Sequence, residues 1–245
     1  MNSNRCFIPG IRIFLILIFT SAFVKSQTLK ISVGGIYQFH LGGITNKEPH
    51  IQNQLITSEQ SPAISDFFSN NVGWNFSLGF RIPLAENGDG IILGFEYESI
   101  ELSNENHNIN STRILGKTLD IKTYAPFIGY GWFFNDGKIF LHNSFGLSLK
   151  DYGGKSNFGL YEVKHNYKNG IFFKIISGID FERLGDSPLT IGVGVKMEFG
   201  SISRRDVEYT LNGEKVGRLI PIGDKQLQDI QLSPFISISY QLNFS

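Results

Sequence analysis

The chain has 245 residues, of which 18% are charged, with 22 basic and 22 acidic side chains, 22 Phe and 27 Gly. That balance leaves no basic excess for nucleic acid or an anionic lipid surface, and a composition rich in Phe, Gly, Ile and Ser suits a sheet facing lipid better than an average cytosolic domain. The single cysteine, Cys6, stands before the first apolar run, which excludes disulfides and thiolate chemistry from the rest of the chain.

Residues 1–26 read as an export signal. Arg5 and Arg12 supply a positive start, Ile13 to Phe19 an unbroken apolar run, and Val24 and Ser26 the small positions before a cleavage at Gln27. The apolar run falls well short of the ~20 residues that a membrane-spanning helix needs. A lipoprotein cysteine would follow that run, so lipidation of Cys6 is not expected. Removing Arg5, Arg12 and Lys25 leaves 19 basic against 22 acidic residues over 27–245, a net charge of −3. No linker divides 27–245, which reads as one domain.

Alternation of apolar and small or polar residues predicts strands with one oily face. The first spans Leu29 to Leu41, with Leu29, Ile31, Val33, Tyr37, Phe39 and Leu41 on one face. The second spans Val72 to Ile82, setting Trp74, Phe76, Leu78 and Phe80 against Gly73, Asn75, Ser77, Gly79 and Arg81. The third starts near Ile91, setting Leu93, Phe95 and Tyr97 against Gly94, Glu96 and Glu98. The fourth, Leu119 to Phe134, carries bulk on both faces. Its turn can decide, with a one-residue slip, which would reverse the two faces, as the alternative: Asp136-Gly137 is a two-residue hairpin signal. A tight turn there pairs Phe134 with Ile139 and Trp132 with Leu141, placing Tyr124, Ile128, Tyr130, Trp132 and Phe134 outside and Ala125, Gly129 and Gly131 inside. Pro126 in this strand removes a ladder donor and predicts a bulge or bend.

The fifth strand sets Ile139, Leu141, Phe145, Leu147 and Leu149 against His142, Ser144, Gly146 and Ser148. The sixth sets Ile171, Phe173, Ile175, Ile179 and Phe181 against Lys174, Gly178, Asp180 and Glu182. The seventh runs Leu189 to Phe199 with every odd residue apolar, and the eighth sets Ile236, Ile238, Tyr240, Leu242 and Phe244 against Ser237, Ser239, Gln241 and Asn243. Connections 42–71, 103–118, 150–168 and 201–228 are long, and 83–90, 135–138 and 183–188 are short. Short turns at one end and long loops at the other, with an even strand count, are the order of an outer-membrane β-barrel. Val207, Tyr209 and Leu211 leading into Asn212-Gly213 and then Lys215 to Ile220 read as a further hairpin. It projects beyond an eight-stranded barrel or, in the less favoured alternative, adds two strands to make ten.

The fold class expected is therefore all-β, an eight-stranded antiparallel up-and-down transmembrane barrel in the bacterial outer membrane. Every backbone amide in hydrocarbon needs a partner, so such a sheet must close. Two aromatic girdles are expected, Tyr37, Phe39, Trp74 and Tyr97 at one rim and Phe80, Trp132, Phe134, Phe181, Phe199 and Phe244 at the other. The rival is a soluble lipocalin-like barrel with the bulky rows inward. Eight inward rows of Phe, Trp and Ile would overfill a lumen that just holds side chains or one small ligand.

The inner face collects Arg81, Glu96, Glu98, Lys174, Asp180, Glu182, Lys196 and Glu198, and an in-register hairpin places Lys174 opposite Glu198. This reads as a charge-paired, solvated plug, with a narrow ion path as the sharper alternative. Catalysis finds little support. His142 and Ser144 share an inner row without a recognisable cluster, and His142 reads as lumen filling. Gly154-Lys155-Ser156 lacks the earlier glycine of a phosphate loop, since Leu149 stands there, and Gly192-x-Gly194 is strand interior. No catalytic, cofactor-binding or metal-binding residue is assigned, and no cofactor is expected. A lipid-modifying enzyme is the remotest membrane alternative.

Val72-Gly73-Trp74-Asn75-Phe76-Ser77-Leu78-Gly79-Phe80, the run Ile121-Lys122-Thr123-Tyr124-Ala125-Pro126-Phe127 and the following Gly129-Tyr130 resemble the PorT-like outer-membrane β-barrel domain proteins of the Bacteroidota. The resemblance covers nearly all of 27–245 and implies an OmpX-like barrel of eight strands. Some such proteins take part in secretion, and the family offers no catalytic or binding residues to carry over. Assembly signals usually end on the aromatic residue, whereas here Ser245 follows Phe244. The expected partners are outer-membrane lipid and, through the long loops, another protein. Nucleic acid is not expected, and the barrel is expected to be a monomer serving a surface-binding or accessory role.

Overall fold

In the computed structural model the described residues are 27–40, 49–52, 55–58, 70–104, 107–109, 112–158, 161–182, 187–211, 213–219 and 226–244. Residues 1–26, expected as an export signal, and most of 42–71 lie outside them. Eight strands form the barrel: β1 Gln27–Tyr37, β2 Asn70–Pro83, β3 Gly90–Asn104, β4 Thr112–Phe134, β5 Ile139–Phe158, β6 Gly170–Phe181, β7 Leu189–Leu211 and β8 Gln226–Phe244. Each pairs antiparallel with the next, and β8 returns to β1 from Gln27↔Phe244 to Ile36↔Phe235. The sheet closes with eight strands, not ten, and the ring has no free edge.

The β4–β5 turn sets the register of the ambiguous strand. Asn135, Asp136 and Gly137 have φ of 54°, 53° and 79°, and the Lys138 N–H donates to the Asn135 carbonyl at 3.1 Å. Two central residues with positive φ make a type I′ turn, whose twist matches the strands it joins. Phe134 pairs with Ile139 and Trp132 with Leu141, as the turn chemistry requires. Pro126 does not mark a bulge. The register is unshifted from Tyr124↔Leu149 to Phe127↔Gly146, with only Ala125 and Pro126 dropping out of that ladder, while Pro126 still stands opposite Phe95 of β3. Loss of one donor is absorbed locally because both flanking ladders hold the strand.

The bulky rows face outward. Val33, Ile236, Ile238 and Ile171 are 57–64% exposed, while Glu96, Glu98, Lys174 and Lys196 on the opposite face are at most 3% exposed. This overturns the soluble alternative with apolar residues inside. Trp74, Tyr97 and Tyr124 line up at the long-loop rim with ring centroids 5.3 and 5.2 Å apart, and Tyr130 packs edge-on to Trp132 at 5.1 Å toward the other rim. Phe199 belongs to the long-loop half, not to the short-turn girdle expected for it, because it pairs with Phe173 and Ile230 some ten residues up β7 from Leu189. The oily belt is interrupted by Asn143 and Ser177, which satisfy one another through a 2.6 Å hydrogen bond.

Beyond the belt the strands continue. Residues 103–118, 150–168 and 201–228, expected as loops, are largely strand: β4 begins at Thr112, β5 runs to Phe158, and β7 runs to Leu211. Short strands His107–Ile109, Tyr161–Tyr167 and Glu214–Leu219 join them. The resulting order is His107–Ile109, β4, β5, Tyr161–Tyr167, β7, Glu214–Leu219, a six-stranded sheet rising on one side of the barrel. Alternation of apolar residues fades here because the outward positions, such as Glu101, Asp120, Asp151 and Lys155, are exposed and charged. In water a strand needs an apolar row on one face only. The hairpin expected at 207–220 is present, turning at Gly213 (φ 85°).

Candidate functional site: a layered lumen

Alternation places one residue in two inside the barrel, and register stacks the inward residues into layers. The middle layer is ionic. The Lys174 ammonium lies 2.7 Å from Glu96, 2.8 Å from Glu98 and 3.6 Å from Glu198. Lys196 bridges Glu96 and also Glu98, the latter at 2.7 Å, and Lys150 pairs with Glu198. Ser148 donates to Glu198 at 2.6 Å and Asn75 to Glu96 at 2.7 Å. Lys174 stands opposite Glu198 in register, as expected, yet its strongest contacts cross the lumen from β6 to β3. Strands β3 and β7 are on opposite sides of the ring, so the Lys196 pairs are struts across the barrel.

This layer is not solvated. Lys150 and Lys174 are 0% exposed, and Glu98, Lys196 and Glu198 are 2% exposed. Charges so far from water survive only because each has partners and hydrogen bonds. Lys150 was missed because the predicted fifth strand ends at Leu149. Extending the alternation by one residue would have found it. Asp229 and Gln231 were missed for the same reason at the start of β8. Gln231 is bound by Lys150, by Gln38 at 2.7 Å and to the Tyr152 hydroxyl at 3.0 Å.

Toward the long loops the lumen turns apolar. Ile36, Ile100, Leu102, Ile121, Tyr152, Phe172 and Ile202 form one buried cluster. The ionic layer and this cap occupy the middle and the long-loop end of the lumen. Toward the short turns the pairs are Lys30 with Asp180 and Arg81 with Glu182 at 2.8 Å, and His142 Nε2 lies 3.6 Å from Asp180. The Arg81 guanidinium also lies 4.6 and 4.8 Å from the ring centroids of Phe133 and Phe140. The structure brings His142 to Asp180. Among the described residues no cluster of three His, Cys, Asp or Glu could hold a metal.

Inward glycines have a packing role that sequence reading did not anticipate. A methyl at Gly94 would stand 2.1 Å from Phe127 Cζ, at Gly131 2.2 Å from Phe140 Cζ, at Gly178 2.6 Å from His142 Nε2, and at Gly200 2.5 Å from Phe172 Cγ. Each glycine is the bed of a ring from an adjacent strand. Gly200→Val should therefore overpack the apolar cap and lower stability by about 1–3 kcal/mol, read as the urea midpoint of the protein in detergent micelles. An unchanged midpoint would mean that Phe172 is free to move off its glycine.

No family model matches the chain, and no curated protein sequence matches it. Solved structures that resemble it include Neisserial surface protein A, with a TM-score of 0.44 and 9% identity over 89% of this chain and 99% of that one. Ail, the attachment invasion locus protein of Yersinia pestis, has a TM-score of 0.42 and 10% identity over 89% and 100%. The outer membrane protease OmpT from Escherichia coli has 0.47 and 8% over 89% and 97%. The closed eight-strand ladder is read from this chain's own pairing rather than from these structures.

Proposed function

We propose that this chain is an outer-membrane barrel that acts as a surface-binding or accessory protein, not as an enzyme or channel. An uncharged outward belt rimmed by aromatic side chains suits the bilayer, and a lumen occupied at its middle and long-loop end by buried pairs and an apolar cap suits a scaffold. Membership of the PorT-like group, export through a cleaved signal and monomeric behaviour belong to the same proposal.

The observation that carries the binding role is the projecting sheet. Glu214–Leu219 pairs with β7 along one edge and, among the described residues, with no strand along the other. Its Glu214, Lys215, Val216 and Arg218 are exposed. An open edge of backbone donors and acceptors is a template for another strand, and binding groups are commonly carried on segments held by a rigid scaffold. The test is capture of cross-linked partners by the intact protein in outer membranes, compared with Val216→Pro and with a deletion of 213–218. The expected result is a captured protein that both variants lose, while heat-modifiable gel migration still reports a folded barrel. Capture that survives both variants would remove the edge from the reading.

A further inference from the structure

The short-turn half of the lumen is not filled. A cavity of about 80 Å³ lies beneath the ionic layer, and the barrel mouth below it shares Thr28, Arg81, Glu182 and Gln241 with its lining. One water needs roughly 10–15 Å³ of such space, so the cavity has room for several waters or for one solute of a few heavy atoms.

Gly79 lines this cavity and differs from the glycines above. The nearest atoms to a methyl placed there, Ile92 Cγ2 and Lys30 Cβ, are 4.0 Å away. A glycine weakens a strand and is used where a ring, a backbone or a ligand comes close. No ring or backbone comes close to Gly79. Lys30 stands directly across from it on β1, and Arg81 is two residues along β2.

The lining holds the carboxylates Glu96, Asp180 and Glu182 as well as cations, but the two kinds differ in exposure. The side chains of Lys30, Arg81 and His142 are 22%, 16% and 16% exposed, whereas those of their carboxylate partners Asp180 and Glu182 are 4% exposed. Both carboxylates come from the β6 side, across the lumen from β1 and β2. The accessible side of each ion pair is thus its cation. Ile92 and Phe127 add an apolar wall to the lining.

We propose that this chamber binds a small monocarboxylate that enters through the short-turn mouth. Its carboxylate sits over Gly79 between the Lys30 ammonium and the Arg81 guanidinium, and its short aliphatic part lies against Ile92 and Phe127. Asp180 and Glu182 stay paired and hold the affinity to the millimolar range. A guanidinium and an ammonium that both reach one carboxylate offer it charge-assisted hydrogen bonds on both oxygens.

The probe is acetate, titrated into the protein in detergent micelles and followed through the backbone amide resonances of Ser77 and Gly79. Saturable shifts are expected, with a Kd on the order of 1–10 mM. Gly79→Leu, which fills the space, and Arg81→Gln should each weaken binding by about tenfold or more, with heat-modifiable migration unchanged. If Gly79→Leu does not fold, Lys30→Gln takes its place with the same expectation. Shifts that grow linearly without saturating, a filled-chamber variant that binds acetate as wild type does, or equal binding of ammonium ion or of n-propanol would each overturn the site.

Discussion

Lys174→Met will destabilise the barrel by about 3–5 kcal/mol, the usual cost of removing one partner from a buried ion pair. The reason is the company that Lys174 keeps. Its ammonium faces Glu96, Glu98 and Glu198, and none of the four side chains is more than 3% exposed. Without it three carboxylates, each at most 3% exposed, share Lys150 and Lys196. Adding Glu98→Gln should recover part of the loss, because groups in one network couple by about 0.5–3 kcal/mol. Lys155→Met is the comparison. Its pair with Glu162 is 3.6 Å long with side chains 63% and 51% exposed, so its removal should change stability by no more than about 0.5 kcal/mol. Urea midpoints in micelles read all three. Equal losses for Lys174→Met and Lys155→Met would mean that the middle layer is wet after all.

Ile238→Arg will cost about 2–4 kcal/mol in a bilayer, the range for a cation at mid-depth on a lipid-facing strand. Ile238 is 61% exposed, pairs with Val33 and Ile191, and sits between Ile236 and Tyr240 on the outward face of β8. The same substitution on a barrel surrounded by water would be nearly silent, since surface changes away from special features stay within about ±0.5 kcal/mol. Refolding yield into phospholipid vesicles, against the neighbouring inward Ser237→Ala as a control, separates the two solvents. A neutral Ile238→Arg would remove the membrane reading and with it the proposed location.

Much of the candidate site was legible from alternation. Glu96, Glu98, Lys174, Asp180, Glu182, Lys196, Glu198 and Arg81 all point inward where period two puts them, and Lys174 meets Glu198 in register. Lys30, Lys150, Asp229 and Gln231 escaped because they lie at strand positions the pattern did not reach or list. The projecting sheet escaped because above the belt the outward residues become polar, and a strand with charges outside and scattered apolar residues inside reads as a loop. Phe199 was placed at the wrong rim because distance from a strand end is not depth in the belt until both neighbours' registers are known.

The sequence by itself determined that the chain forms amphipathic strands and which residues share a face of each, because side chains alternate with a period of two, while eight strands and ten both stayed open. Only the tertiary structure decided which solvent each face meets, since alternation is the same whether oil lies within or without. It also decided which charges become partners. Lys196 and Glu98 are almost one hundred residues apart in the chain and come from opposite sides of the ring, so their contact exists only once the sheet has curled shut.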